Sequence, residues 1–441
     1  MPKEPSASVR NSPKVAQKEL PLLAVLPFLD LSQAREEGHF CEGFAEEILQ
    51  RLCQVQDLRV LSRTSSFLFQ GTGMAPTEIG QRLGAQHILA GRLLKEGSRL
   101  ALKVELLAVA SGVCLWSAEY TREGADVFAM ITELVSGVAQ ALNLVAPSIS
   151  HAAVPLEAYD HYLKGRQHYF RFNRHGMRLA AQEYEAALAV DPTYAAAWAG
   201  LALCAAYLYI YVNRTKAHRE QAQTASQRAL ELDPHLAEAH VSRGVALSSA
   251  GRSEEAEEAY ETALRLDPNL YEAYYFYARY CFAVGRPEEA IHHFEWAAAL
   301  RPEDYQAILL VAQVYTSLGV LDEAAASRRR GLELAEARLQ HAPDDARAWY
   351  LGANALVALG ERERGLTWAR MARSLDPDDS MLLYNLGCIH ALAGDTEDAL
   401  ECLSLAVAAG LSEKNWFLHD GDLESLHQHH RFQELVRSLA D

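Results

Sequence analysis

The stretch DPHLAEAHVSRGVALSSAGRSEEAEEAYETALRLDPNLYEAYYFYARYCFAVGRPEEAIHHFEWAAALRP, residues 233–302, decides the fold. Within it Asp233-Pro234, Asp267-Pro268 and Arg301-Pro302 recur at a fixed interval of 34 residues. Between the first two pairs stand Gly244, Gly251, Ala256, Tyr260 and Ala263; between the next two, Ala278, Gly285, Ala290, Phe294 and Ala297 hold the same offsets. Each period has room for two helices and a turn. A glycine inside a helix costs about 1 kcal/mol against alanine, so Gly244 and Ala278 in mid-helix point to close approach of the second helix, which carries Ala256 and Ala290. Tyr260 and Phe294 read as bulky plugs between layers. Gly251 and Gly285 stand where the first helix ends and a residue free to take positive φ is wanted. Pro287 suits the first turn of the second helix, where its missing N–H costs nothing. Pro268 and Pro302 then stop that helix.

This phase of small residues, aromatics and prolines resembles the tetratricopeptide repeat, a helix–turn–helix unit of 34 residues that stacks into a right-handed α-solenoid. Counting back from the terminal prolines adds Pro192, Pro343 and Pro377 to the frame. The intervals ending at Pro234 and Pro343 are 42 and 41 residues, with the surplus near Tyr209–Ala217 and Glu336–His341, so those units should carry longer helices or loops. A seventh unit, 378–411, keeps Gly387, Gly394, Ala399 and Ala406. Repeats are expected over 157–421. A capping helix over 422–441, with Phe432, Leu435, Val436 and Leu439, should cover the last open face.

The preceding sequence follows different rules. Residues 1–19, rich in Ser, Pro, Lys and Asn, read as a disordered leader. Residues 20–145 read as a small mixed α/β domain. Ala24–Phe28 suits a buried strand, and Phe40, Phe44, Ile48, Leu49 and Leu52 recur at helical spacing. Leu58–Leu61 suits a second strand and Thr77–Leu83 a short helix. Three strands then follow as a meander over 87–95, 99–110 and 113–121. In the middle one Leu100, Leu102, Val104 and Leu106 alternate with Ala101, Lys103 and Glu105, so one face should be buried. Residues 126–142 close the domain as an amphipathic helix, and 146–156 read as a linker. The motifs LAVLPF, EGFAEEI, RVLSRTSSF, IGQRLGAQHILAGRL and GVCLWSAEYTR, in this order, resemble the TolB N-terminal-like domain. The resemblance covers nearly all of 22–142. It implies a bacterial protein in which that domain precedes tetratricopeptide repeats, in signalling or regulation.

Composition narrows the class. The 441-residue chain carries 41 basic and 58 acidic residues, a net charge of −17, which argues against a nucleic-acid partner. Its seven cysteines are scattered without a C-x-x-C pair, so neither a disulfide framework nor a zinc site is indicated and a cytoplasmic home is expected. The apolar run Leu20–Leu31 lacks a small-residue cleavage site and reads as a buried strand rather than a signal peptide. No run reaches the roughly 18 apolar residues of a membrane helix. The HQHH stretch at 427–430 lacks a carboxylate or thiolate at ligand spacing, so no metal is expected. Gly71-Thr72-Gly73 lacks the lysine of a phosphate loop and reads as a turn. No nucleophile–base pairing stands out, and neither a cofactor nor an enzymatic activity is expected.

In such a solenoid one stripe of each first helix should line the concave surface. Here that stripe is Glu238, Val241 and Val245; Glu272, Tyr275, Arg279 and Phe282; Gln306, Leu309 and Gln313; Arg347, Tyr350 and Asn354; and Met381, Tyr384 and Cys388. This mix of aromatic and polar residues suits an extended peptide or a partner helix, so the expected role is a protein-interaction scaffold or adaptor. Val241, Tyr275, Leu309, Tyr350 and Tyr384 stand where chaperone-tail binders carry a clamp lysine, which argues against that partner class. The alternative is a ligand-sensing regulator whose α/β domain binds a small anion through Arg63, Ser65 and Ser66 at a strand end.

Overall fold

The computed structural model describes residues 20–32, 37–67, 69–123, 127–146, 153–212, 215–411 and 414–439. The expected leader lies outside these residues, and so does most of the expected linker.

The N-terminal region is built on a six-stranded sheet. In chain order it comprises β1 (Leu22–Val25), β2 (Leu29–Asp30), α1 (Gly38–Leu52), β3 (Arg59–Val60), α2 (Arg63–Phe67), α3 (Pro76–Leu83), β4 (His87–Glu96), β5 (Arg99–Ala108), β6 (Cys114–Glu123) and α4 (Val127–Ala141). The order across the sheet is β3-β1-β4-β5-β6, with β2 pairing β4. Pairing is parallel among β1, β2, β3 and β4, and antiparallel along the β4-β5-β6 meander. The alternation read in β5 has its reason here. Leu100, Leu102, Val104 and Leu106 face inward and join one core with Ile131, Leu134 and Val138 of α4. The apolar run from Leu20 makes two short strands, not one.

From Leu156 the chain is helical. Its pairs are α5 (Leu156–Tyr169) with α6 (Arg174–Val190), α7 (Ala195–Tyr211) with α8 (Lys216–Leu232), and α9 (Ala237–Ser249) with α10 (Ser253–Leu266). Then come α11 (Tyr271–Ala283) with α12 (Pro287–Leu300), α13 (Tyr305–Ser317) with α14 (Leu321–His341), α15 (Ala346–Ala358) with α16 (Arg362–Leu375), and α17 (Ser380–Leu392) with α18 (Thr396–Ala408). The surplus residues of the long intervals are absorbed as helix: α7 and α8 run 17 residues each and α14 runs 21, against 13 or 14 in α9 to α12.

The small residues act as their spacing implies. A Cβ on Gly244 would lie 2.7 Å from the Tyr260 ring, so only glycine lets α9 and α10 close on that plug. Gly251 and Gly285 take φ of +75° and +79°, and the next residue's N–H turns back onto the helix they end, Arg252 to Leu247 and Arg286 to Cys281. The C-terminal segment differs from the single capping helix expected. It is broken into α19 (Lys414–His419), a 3-10 turn (Gly421–Leu426) and α20 (His430–Ser438). Asp420 causes the break by accepting the Asp422 N–H at the start of the turn, while buried Phe417, Leu423 and Phe432 hold the segment to the last pair.

The two regions share one core. Tyr159 of α5 is fully buried among Phe40 and Phe44 of α1 and Phe128 of α4, with ring centroids at 5.8, 6.4 and 5.5 Å. Charge reinforces the seam. Glu46 of α1 takes a hydrogen bond from Arg166 of α5 at 3.1 Å, and Asp160 meets His39 at 2.9 Å and Lys95 at 3.0 Å.

Candidate functional site

The inner side of the solenoid is a chamber rather than an open groove, because its first two pairs meet the last one across it. Ser380 Oγ at the start of α17 donates to the Tyr211 carbonyl at the end of α7, and Asp379 accepts the Arg174 N–H at 3.3 Å. Trp416 of α19 stacks on Tyr211 with ring centroids 5.4 Å apart. Phe172, in the α5–α6 turn with φ of +48°, reaches inward to Tyr207 at 5.1 Å and Tyr275 at 6.1 Å. These contacts leave a cavity of about 430 Å³.

The expected stripe divides into three groups. Val245, Arg279, Phe282, Gln313, Arg347, Tyr350, Met381 and Tyr384 line the chamber. Val241, Tyr275 and Leu309 are at most 3% exposed and pack between helices, Leu309 against Gly331 of α14. Cys388 is likewise buried, beside Asp420 at 3.6 Å. The remaining polar members are engaged elsewhere. Glu272 pairs with Arg301 at 2.9 Å. Asn354 is buried and donates to Asp422 at 2.6 Å beneath the C-terminal turn. Gln306 follows the Asp304 N-cap, whose carboxylate takes its N–H at 2.7 Å. Glu238 keeps part of its surface, and burial of its carboxyl group, with Glu272 and other acids nearby, pushes its pKa up to about 7.

Arg279 and Arg347 dominate the electrostatics of the wall. Arg347 donates through Nη1 to the Tyr350 hydroxyl and through Nη2 to the Tyr275 hydroxyl, both at 2.8 Å. Arg279 donates to the same Tyr275 hydroxyl at 3.3 Å and also to that of Tyr211. Burial opposes the charge on both groups, while the surrounding phenols favour it and leave each more basic than usual. In the same lining, Asp420 accepts from the Tyr384 hydroxyl at 2.9 Å.

The alternative anion site looks different from its sequence reading. Ser62–Ser66 follows the end of β3, as expected, but winds from Arg63 to Phe67 into a five-residue helix. The Arg63 guanidinium is already met by Glu42 at 3.4 Å and Glu46 at 3.3 Å, which neutralise it. Ser65 bonds Ser62, and the Ser66 hydroxyl is buried. Glu37, His39 and Asp160 converge as a metal site would, but Lys95 lies 3.2 Å from Glu37 and 3.0 Å from Asp160 and supplies the positive charge.

Sequence reasoning missed the residues that close the chamber: Phe172, Tyr207, Tyr211 and Trp416. Two aromatic clusters off the repeat frame were the available signal, HYFRF at 168–172 and YLYIY at 207–211.

Comparisons with known proteins place the repeats. The tetratricopeptide-repeat family matches at residues 237–270 and again at 278–335. A Rhizobium meliloti (strain 1021) protein named "Putative adenylate cyclase 3" is 30% identical over 254 residues, 55% of this chain and 43% of its own length. The chain thus spans less than half of that curated relative. Among solved structures, a monomeric mutant of IFIT1 with Gppp-AAAA aligns at TM-score 0.45 and 13% identity over 71% of this chain and 77% of its own. YrrB, described as a TPR protein with an unusual peptide-binding site, aligns at TM-score 0.28 and 25% identity over 42% of this chain and 92% of its own. TTC0263, a thermophilic TPR protein of Thermus thermophilus, aligns at TM-score 0.36 and 20% identity over 43% of this chain and 98% of its own.

Proposed function

Starting from a chain that carries tetratricopeptide repeats behind an α/β region, we propose that it is a non-catalytic protein-interaction scaffold that holds a short partner segment at the mouth of the inner chamber. The observation that supports this reading is the aromatic and arginine-lined chamber itself, with part-exposed Phe282 and Gln313 and exposed Val284, Asn415 and His419 on its walls. A cavity of this volume admits one or two anchoring side chains rather than an extended peptide. The partner therefore lays its chain across the mouth and inserts an anchor, with affinity concentrated in a few contacts. Tyr275 and Tyr350 support the arginines from buried positions and are scaffold rather than contact surface.

The α/β region fixes the first repeat through the Tyr159 seam and resembles the TolB N-terminal-like domain over 22–142. That resemblance supports placing the chain in a bacterial, cytoplasmic signalling or regulatory setting. No helix among the described residues is long and apolar enough to cross a membrane. The cyclase named among the relatives is a longer protein, and on this reading the chain supplies interaction rather than catalysis.

Affinity capture from the native lysate, followed by titration of the purified captured protein, tests the proposal. Phe282→Ala combined with Gln313→Ala should weaken binding at least tenfold while leaving the fold intact. Unchanged affinity in that variant would remove the chamber mouth as the contact surface.

A further inference from the structure

Arg166 and Arg301, both poorly exposed, are each met by a carboxylate, Glu46 at 3.1 Å and Glu272 at 2.9 Å. Arg279 and Arg347 are treated otherwise. Among the described residues neither has a carboxylate within 4.0 Å, and their hydrogen-bond partners are phenols. A guanidinium can only donate, so the Tyr211, Tyr275 and Tyr350 oxygens accept, and each phenol keeps its own O–H to give. Arg347 is 5% exposed, and its Nε meets no acceptor among the described residues. The cluster is therefore rich in donors and carries two positive charges that no carboxylate among the described residues pairs directly; Asp304 acts on Arg347 only from beyond ion-pair distance.

Burying such charge without a counter-ion is costly. Aromatic faces offset part of the cost: Phe172 lies 4.4 Å from the Arg347 guanidinium and Tyr211 lies 5.0 Å from that of Arg279. Asp420, on the same chamber's wall, is already engaged by the Tyr384 hydroxyl and the Asp422 N–H. The rest of the lining mixes aliphatic side chains and polar ones such as Gln313 and Asn385 with several aromatic rings, among them the stacked Tyr211–Trp416 pair. A volume of about 430 Å³ is that of a small-molecule site. The chain's net charge of −17 repels polyanions, whereas one anionic group can be held locally by the arginine pair.

We infer that the chamber is a binding site for a small organic anion, a carboxylate or phosphate carried on a planar aromatic body. The anionic head sits at Arg279 and Arg347, and the ring lies against Tyr211 and Trp416. This inference rests on the same chamber as the scaffold reading but needs no protein partner, so a titration of the purified chain can fail while partner capture succeeds, and the reverse.

The test is calorimetric titration of the full-length chain with phenyl phosphate and with benzoate, using benzamide as the neutral ring and inorganic phosphate as the ringless anion. At least one aromatic anion should bind one-to-one, and the one that does so identifies the head group. Benzamide and inorganic phosphate should bind at least tenfold more weakly. Arg279→Met and Arg347→Met should each weaken the aromatic anion at least tenfold. Arg328→Met, at a buried arginine outside the chamber wall, should leave it unchanged. Circular dichroism checks each fold; if Arg347→Met fails to fold, the more exposed Arg279→Met decides. Absence of saturable binding by both aromatic anions, equal binding of benzamide, or full binding in a folded Arg279→Met would overturn the inference.

Discussion

Arg347 holds its guanidinium 4.4 Å over the ring of Phe172, although one belongs to the sixth helical pair and the other to the turn of the first. This contact helps to close the solenoid on itself, and with the Ser380–Tyr211 bond it turns an inner face into a chamber. Removing the ring should therefore act at long range. Phe172→Ala should destabilise the fold by about 3–5 kcal/mol, as large-to-small changes at buried aromatics do. Chemical denaturation measures this. Hydrogen exchange should show the loss of protection in α15 and α17 as well as in α5 and α6.

Tyr159 tests whether the α/β region and the repeats unfold as one body. Its ring is fully buried at the seam, and its hydroxyl meets no hydrogen-bond partner among the described residues. Tyr159→Ala should cost about 3–5 kcal/mol and split a single unfolding transition into two. Tyr159→Phe removes only an unpaired buried hydroxyl and should be neutral or stabilising. A large loss from the phenylalanine variant would show that the hydroxyl has a structural role.

The seam also has a pH signature. Burial raises the Asp160 carboxyl, but hydrogen bonds from His39, Lys164 and Lys95 and the charge of Lys95 outweigh it and hold its pKa well below the usual carboxylate range. A carboxyl depressed in the folded state stabilises it above the unfolded value of about 4 and loses that contribution as pH falls below it. Asp160→Asn should therefore destabilise most at neutral pH, and the gap to wild type should narrow below about pH 4.

Asp422 behaves in the opposite sense. Burial, with Asp420 beside it, pushes its pKa up to about 7 against the opposing effects of Asn354 and Arg328. A carboxyl raised in the folded state costs stability as pH climbs from its unfolded value, about 4, to its folded one. Wild type should lose stability across roughly pH 4–7, and Asp422→Asn should flatten that loss. Parallel profiles for the two proteins would assign the slope to other groups.

The repeats were legible because their constraints are local and recur: a glycine that must take positive φ, a small residue opposite Tyr260, a proline after each second helix. The meander was legible for the same reason, since the alternation in β5 reports one buried face. The chamber was not. Its closure depends on Phe172, Tyr211 and Trp416, which lie outside the repeat period and meet only through the curvature of the whole stack. In sequence the stripe accordingly reads as an open surface, although Tyr275 and Leu309 are packed inside and Asn354 is drawn under the C-terminal turn. Arg63 likewise reads as a free cation in sequence, and only the fold brings Glu42 and Glu46 to it.

Site-directed photo-crosslinking in cells bears most directly on the proposal that a partner is held at the chamber mouth. A photoreactive phenylalanine analogue replaces Phe282 on the chamber wall in one protein and Trp296, 48% exposed on α12, in another. The account predicts a discrete crosslinked partner from position 282 and none of the same mass from position 296. A partner captured from position 296 and absent from position 282 would contradict it and move the contact surface off the chamber.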